Sequence, residues 1–194
     1  MANKSIKGTR TEQNLANSYI AESTAVTRYT FFSDKAKKDS YFQYANIFAE
    51  TAANELRHAK IFLQYLTEGK VVSAPIGVDP GEIGDTVDNL KVAASEEKHE
   101  GVELYAAYAK VAREEGFDDI AVRFEKIGSV ESHHEARFNK MIERIETDTV
   151  WKREKPIKWQ CLVCGYVMEG TEPPKKCPVC NHPYQHFQPM EDNY

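Results

Sequence analysis

Two stretches decide the fold: FAETAANELRHAK at residues 48–60 and ESHHEARF at residues 131–138. Each holds a Glu-x-x-His pair, Glu55 with His58 and Glu131 with His134. Residues three apart on a helix project from the same face, so each pair aims a carboxylate and an imidazole at one point. Working outward, a lone glutamate precedes each pair at nearly the same interval. The step from Glu22 to Glu55 is only one position shorter than the step from Glu97 to Glu131. A glutamate followed by Glu-x-x-His, used twice on four helices, is the ligand set of a carboxylate-bridged two-metal centre inside a helical bundle.

Helical periodicity puts these residues on stripes that should face a core. In the first helix Leu15, Tyr19, Glu22, Val26 and Tyr29 recur at helical spacing, so Glu22 lies on the apolar face rather than opposite it. A polar break at residues 37–39 predicts an antiparallel hairpin with a second helix over residues 40–68, stopped by Gly69. Residues 70–84, with their prolines and glycines, read as a long crossover. The third helix is expected over residues 85–115, with Val87, Leu90, Ala94, Glu97, Glu100, Leu104 and Tyr108 inward; His99 points away. The fourth is expected to start at an Asp118 cap and run to residue 145, with His133 off its inner line. Two hairpins joined by one crossover give an all-α, ferritin-like four-helix bundle over residues 1–148. Residues 149–157 read as a linker, and residues 158–194 as a small, mostly irregular or β metal domain.

The chain has 194 residues, 28% of them charged, and a net charge of −5. Acidic and basic residues are interleaved with no basic stripe, so nucleic acid is not an expected partner. No apolar run approaches the roughly 20 residues of a membrane span, and the first residues hold no apolar export segment, so a cytoplasmic location is expected. All four cysteines fall in the closing segment, from Cys161 onward. Without an export signal, that clustering favours metal over disulfides.

Five glutamates and two histidines converge in this reading: Glu22, Glu55, His58, Glu97, Glu100, Glu131 and His134. Buried together without cations, five carboxylates would repel one another and stay largely protonated. Two divalent ions set +4 against −5, and two trivalent ions +6, so the set is close to neutral in both redox states. Carboxylate and imidazole ligands suit iron or manganese. Glu100 is surplus to the simple ligand scheme. Tyr29 and Tyr105 follow Glu22 and Glu97 two turns along the same face, where each can donate its hydroxyl to a ligand carboxylate. In the last segment, Cys161-x-x-Cys164 and Cys177-x-x-Cys180 form two knuckles that together make a tetrahedral four-sulfur site. Such a site holds zinc or iron, and spacing alone leans towards zinc.

The chain resembles the rubrerythrins over nearly its whole length. The stretches AESTAVTRY, FAETAANELRHAK, EEKHEGVELY and ESHHEARF are similar to their di-iron domain, and KWQCLVCGYVMEG with CPVCNHPYQHF to a rubredoxin-type Fe(Cys)4 domain. The resemblance implies a non-haem peroxidase that reduces hydrogen peroxide to water in oxidative-stress defence. It implies two non-haem irons in the bundle and one iron on the cysteines, replaceable by zinc. Glu55 and Glu131 would bridge the irons, Glu22 and Glu97 would be terminal ligands, and Glu100 would exchange with His58 as a ligand when the centre is reduced. An external donor, rubredoxin or an NAD(P)H-linked reductase, would supply electrons to a homodimer in which the cysteine domain of one chain faces the di-iron site of the other. The competing classes are a ferroxidase and iron-storage protein, and a non-catalytic scaffold with a zinc ribbon.

Overall fold

Thr9 starts α1 (Arg10–Lys38): its hydroxyl accepts the Glu12 N–H at 3.1 Å, and the Glu12 carboxylate reaches back to the Gly8 N–H at 2.8 Å. The exchange satisfies N–H groups that have no partner inside the helix. The computed structural model describes residues 4–71 and 82–191, so most of the expected crossover lies outside the described residues. Ser40, in left-handed backbone at φ 67°, reverses the chain into α2 (Phe42–Leu63). This helix is shorter at both ends than periodicity predicts. Tyr65 and Leu66 close tight turns onto Phe62 and Leu63 and stop it before Gly69.

Asp85 caps α3 (Thr86–Lys98) by accepting the Asp88 N–H at 3.0 Å. The expected single helix over residues 85–115 is not continuous. A π-helical turn (His99–Leu104) separates α3 from α4 (Tyr105–Glu114). The wider turn advances the buried line from Glu97 to Gly101, Tyr105, Ala109 and Ala112, and leaves the expected inward residues Leu104 and Tyr108 half-buried. α5 (Asp118–Glu146) opens after Phe117 with no side-chain cap, so Asp118 is its first helical residue and not its cap. Its carboxylate still favours the positive end of the helix dipole.

The four rods share a core split in two. Tyr29, Phe32, Phe48 and Phe138 fill one part, and Leu15, Phe62, Tyr105 and Phe124 the other. No helix among the described residues is long and apolar enough to cross a membrane. Beyond the bundle, β1 (Ile157–Cys161), β2 (Val167–Gly170) and β3 (Phe187–Pro189) form an antiparallel sheet in the order β2–β1–β3. Trp159 pairs with Met168 and Cys161 with Phe187 across it. Trp159 and Phe187 are fully buried over the two knuckles. Within the segment read as a linker, Val150 is buried in the bundle core. Trp151 stacks on Tyr41 at 5.5 Å and donates its indole N–H to the Phe187 carbonyl at 3.2 Å. Phe42, at the start of α2, stacks on His186 at 3.8 Å. The small domain is thereby seated on the start of α2.

Candidate metal centres

Each rod contributes to one buried polar layer: Glu22 from α1, Glu55 and His58 from α2, Glu97 from α3, Glu131 and His134 from α5. All six are buried. They form two four-residue groups, Glu22–Glu55–His58–Glu131 and Glu55–Glu97–Glu131–His134, and within each the potential ligand atoms lie within 4.8 Å of one another. Glu55 and Glu131 belong to both groups. That sharing is what two ions bridged by two carboxylates require.

The imidazoles show why cations fit. His58 Nδ1 faces Glu55 at 2.8 Å, Glu131 at 3.0 Å and Glu22 at 3.8 Å. His134 Nδ1 faces Glu131 at 3.0 Å, Glu55 at 3.1 Å and Glu97 at 3.4 Å. One ring N–H cannot serve three carboxylates. Buried oxygens of Glu22, Glu55 and both oxygens of Glu131 are accordingly left without a hydrogen-bond donor. With protons as the only counter-charge, burial pushes Glu22 up to about 8 and Glu97 up to about 7. Burial acts the same way on Glu55, but hydrogen bonds from His134 and His58 outweigh it and hold that carboxyl at about 2. Burial alone would lower the imidazoles; their carboxylate neighbours instead raise His58 to about 12 and His134 to about 11. A layer that must keep protons on groups that normally lose them is one that multivalent cations stabilise.

Tyr29 and Tyr105 bond to the layer, and they do so crosswise. Tyr29 on α1 donates to Glu97 Oε1 of α3 at 2.6 Å, and Tyr105 on α4 donates to Glu22 Oε1 of α1. Burial, followed by the adjacent carboxylates, lifts both phenols well above their ordinary range, so both stay donors. Glu100 stands apart. It is in neither four-residue group, and lines a groove beside the layer. Burial, then Glu22 and Glu97, pushes its carboxyl well above the usual range. His99 and His133 are exposed and outside the layer.

Sequence reasoning missed two contributors. Asn54 Nδ2 lies 3.5 Å from His134 Nε2, at the outer limit of a hydrogen bond. Gly101 in the π turn meets Gly128 of α5 so closely that an added Cβ on Gly101 would lie 2.8 Å from Glu131 Cβ and 2.9 Å from the Gly128 carbonyl oxygen. Gly128 carried a signal: a glycine inside a helix is costly and marks close approach of another backbone.

In the small domain all four cysteine sulfurs lie within 4.8 Å of one another. Cys161 and Cys180 are 3.7 Å apart, Cys164 and Cys177 3.6 Å. These distances are far too long for a disulfide, and close to the roughly 3.8 Å edge of a tetrahedron with metal–sulfur arms of about 2.3 Å. Burial raises the Cys177 thiol, but the N–H groups of Cys180 and Val179 more than offset that and hold it at about 7. The bundle layer and the cysteine cluster thus fit a pair of irons and one Fe(Cys)4 iron.

Comparison with known proteins agrees with both sites. A family model described as Rubrerythrin matches residues 13–142, and one described as Rubrerythrin, rubredoxin-like domain matches residues 159–188. The chain is 45% identical to a rubrerythrin of Porphyromonas gingivalis, covering 99% of this chain and 96% of the relative. It is 43% identical to rubrerythrin-1 of Clostridium acetobutylicum, covering 98% and 100%. Among solved structures, a fully reduced, all-ferrous nigerythrin aligns with a TM-score of 0.64 at 28% identity, covering 98% of this chain and 91% of that one. A bacterioferritin of Mycobacterium tuberculosis, at 19% identity and a TM-score of 0.62 over 71% of this chain and 87% of its own, shares the fold.

Proposed function

Because the chain belongs to the rubrerythrin family, and its bundle holds a layer built for two cations beside a four-thiol cluster, we propose that it is a non-haem peroxidase. It reduces hydrogen peroxide to two waters with two electrons and two protons. The observation that carries the reading is the pairing of two shared carboxylates, Glu55 and Glu131, with two separate Glu/His sets in one buried layer.

Glu55 and Glu131 would bridge two irons, Glu22 with His58 would hold one, and Glu97 with His134 the other. Two irons held there would supply the electron pair and the Lewis acidity for splitting the O–O bond. The rest falls to the protein. Tyr29 and Tyr105 fix the carboxylates of Glu97 and Glu22, so neither swings when charge in the layer changes. The two aromatic clusters exclude water on either side. Glu100, which lines the groove beside the layer, would enter as a ligand in place of His58, as the family resemblance implies. Cys161, Cys164, Cys177 and Cys180 would hold an iron that passes on electrons one at a time from an external rubredoxin or an NAD(P)H-linked reductase.

The small domain rests against Phe42, at the opening of α2, whereas Glu55 lies more than three helical turns further along it. With a rise of about 1.5 Å per residue, the two are about 20 Å apart along the helix. The separation supports delivery to the layer of a second chain in a homodimer. The cytoplasm is the compartment that suits four free thiols around one iron.

The test is rapid mixing of the reduced, iron-loaded protein with hydrogen peroxide. Oxidation of the centre should be prompt and outpace oxidation by oxygen. A centre indifferent to peroxide, in a protein that assembles a large shell and accumulates ferric iron, would replace this reading with iron storage.

A further inference from the structure

A groove of about 150 Å³ opens between α1 and the π turn, with room for several molecules the size of water. Its depth can be read from exposure. Tyr29 and Tyr105, at its floor, are each 1% exposed and bonded to the buried layer. Arg28 and Glu96, at its rim, form an ion pair at 3.1 Å with side chains 13% and 37% exposed. On α1, Ser23, Thr24, Thr27 and Thr30 each donate a hydroxyl to the carbonyl four residues earlier. This is the usual resort of a helical hydroxyl. Ser18 does not do so. It is 2% exposed, lines the groove, and its Oγ has no partner; the neighbouring Asn17 Oδ1 is also buried and unpartnered. Buried polar atoms without partners in a groove of this size call for a small polar occupant.

We propose that this groove is the passage by which hydrogen peroxide reaches the carboxylate–histidine layer, with Ser18 and Asn17 hydrogen-bonding it on the way; this rests on the peroxidase reading above. Peroxide offers two O–H donors and lone pairs on both oxygens, and so matches a hydroxyl and an amide oxygen side by side. It is neutral and passes a guanidinium without penalty.

Two variants test the passage. Ser18→Ala removes the hydrogen bond and keeps the space; Ala21→Leu fills the space from the groove wall. In the reduced, iron-loaded protein the bimolecular rate with peroxide should fall about three- to tenfold in Ser18→Ala and more than about tenfold in Ala21→Leu. The iron content and Fe(Cys)4 absorption should not change. Independently of activity, a crystal structure of the parent should show ordered water on Ser18 Oγ and Asn17 Oδ1, displaced in Ala21→Leu. If Ala21→Leu fails to retain iron, Ser18→Ala decides alone. Parental peroxide rates in variants that hold their iron would overturn the passage, as would a groove without ordered water. Slowed ferrous-ion uptake with an unchanged peroxide rate would overturn it in favour of metal entry. A parent that does not react with peroxide would instead fail the peroxidase reading.

Discussion

Tyr105 crosses from the third rod to Glu22 on the first, and Tyr29 crosses back to Glu97. Each lies two turns beyond one glutamate on its own face, which the sequence makes plain. It bonds the other glutamate because the rods pack antiparallel, and that cannot be read from either helix alone. The six residues of the layer were legible for a different reason: a charged residue on an apolar stripe is anomalous, and four such stripes share nearly one spacing. Removing the phenol of Tyr105 tests the crossed bonds. Tyr105→Phe leaves a buried carboxylate oxygen short of its donor and should destabilise the chain by about 1.5–3 kcal/mol. Tyr108→Phe, at a half-buried position outside the layer, should cost under about 0.5 kcal/mol. Denaturant unfolding of both variants measures the difference. Equal small effects would mean that the Tyr105 hydroxyl contributes nothing to the layer.

The π turn is the element that periodicity did not show. A window tuned to the α-helical repeat reads straight through it and places Leu104 and Tyr108 inward. Counting would have found it. The step from Tyr29 to Glu55 equals the step from Tyr105 to Glu131, so the two halves of the repeat match from each tyrosine onward. Their one-position inequality therefore arises between Glu97 and Tyr105, a step one longer than that from Glu22 to Tyr29. The extra residue falls where the π turn widens the helix. The turn brings Gly101 against Gly128 and carries Glu100 to the groove. Gly101→Ala should therefore destabilise, although alanine ordinarily favours a helix by about 1 kcal/mol. The new methyl would sit 2.8 Å from Glu131 Cβ and 2.9 Å from a backbone oxygen, neither of which can swing away. Overpacking of that kind costs about 1–3 kcal/mol and should push α5 outward. The expected outcome is a lower denaturation midpoint together with weaker retention of metal in the bundle, while the cysteine site stays filled. A stabilised variant with full metal content would show that the close approach is not structural.

At the scale of the molecule, the acidic layer divides the core, and how it is neutralised decides how stability responds to pH. Stripped of metal, the layer has only protons to balance it. His58 and His134 then hold a proton up to about 12 and about 11. Their contribution is complete below the unfolded value of about 6.5 and is lost as pH rises through the folded one. Glu22 and Glu97, raised to about 8 and about 7, also bind a proton in the folded chain that the unfolded chain has released above about 4.5. They too lose stability as pH rises. Glu55 runs the other way, but at about 2 its contribution is lost only in acid. Over the range from about pH 5 to 9 every raised group therefore slopes in one direction. A single net proton gives about 1.4 kcal/mol per pH unit, or roughly 3 °C in melting temperature for a chain of this size. Thermal melts of chelator-treated protein should fall by at least that much per unit. Iron-loaded protein should hold steady or rise, because the ions displace those protons and bind more tightly as pH increases. Parallel melts followed by helical circular dichroism would decide it. A metal-stripped chain that grew more stable with pH would mean that the carboxylates are already neutralised without cations, and the layer would then not be built for metal.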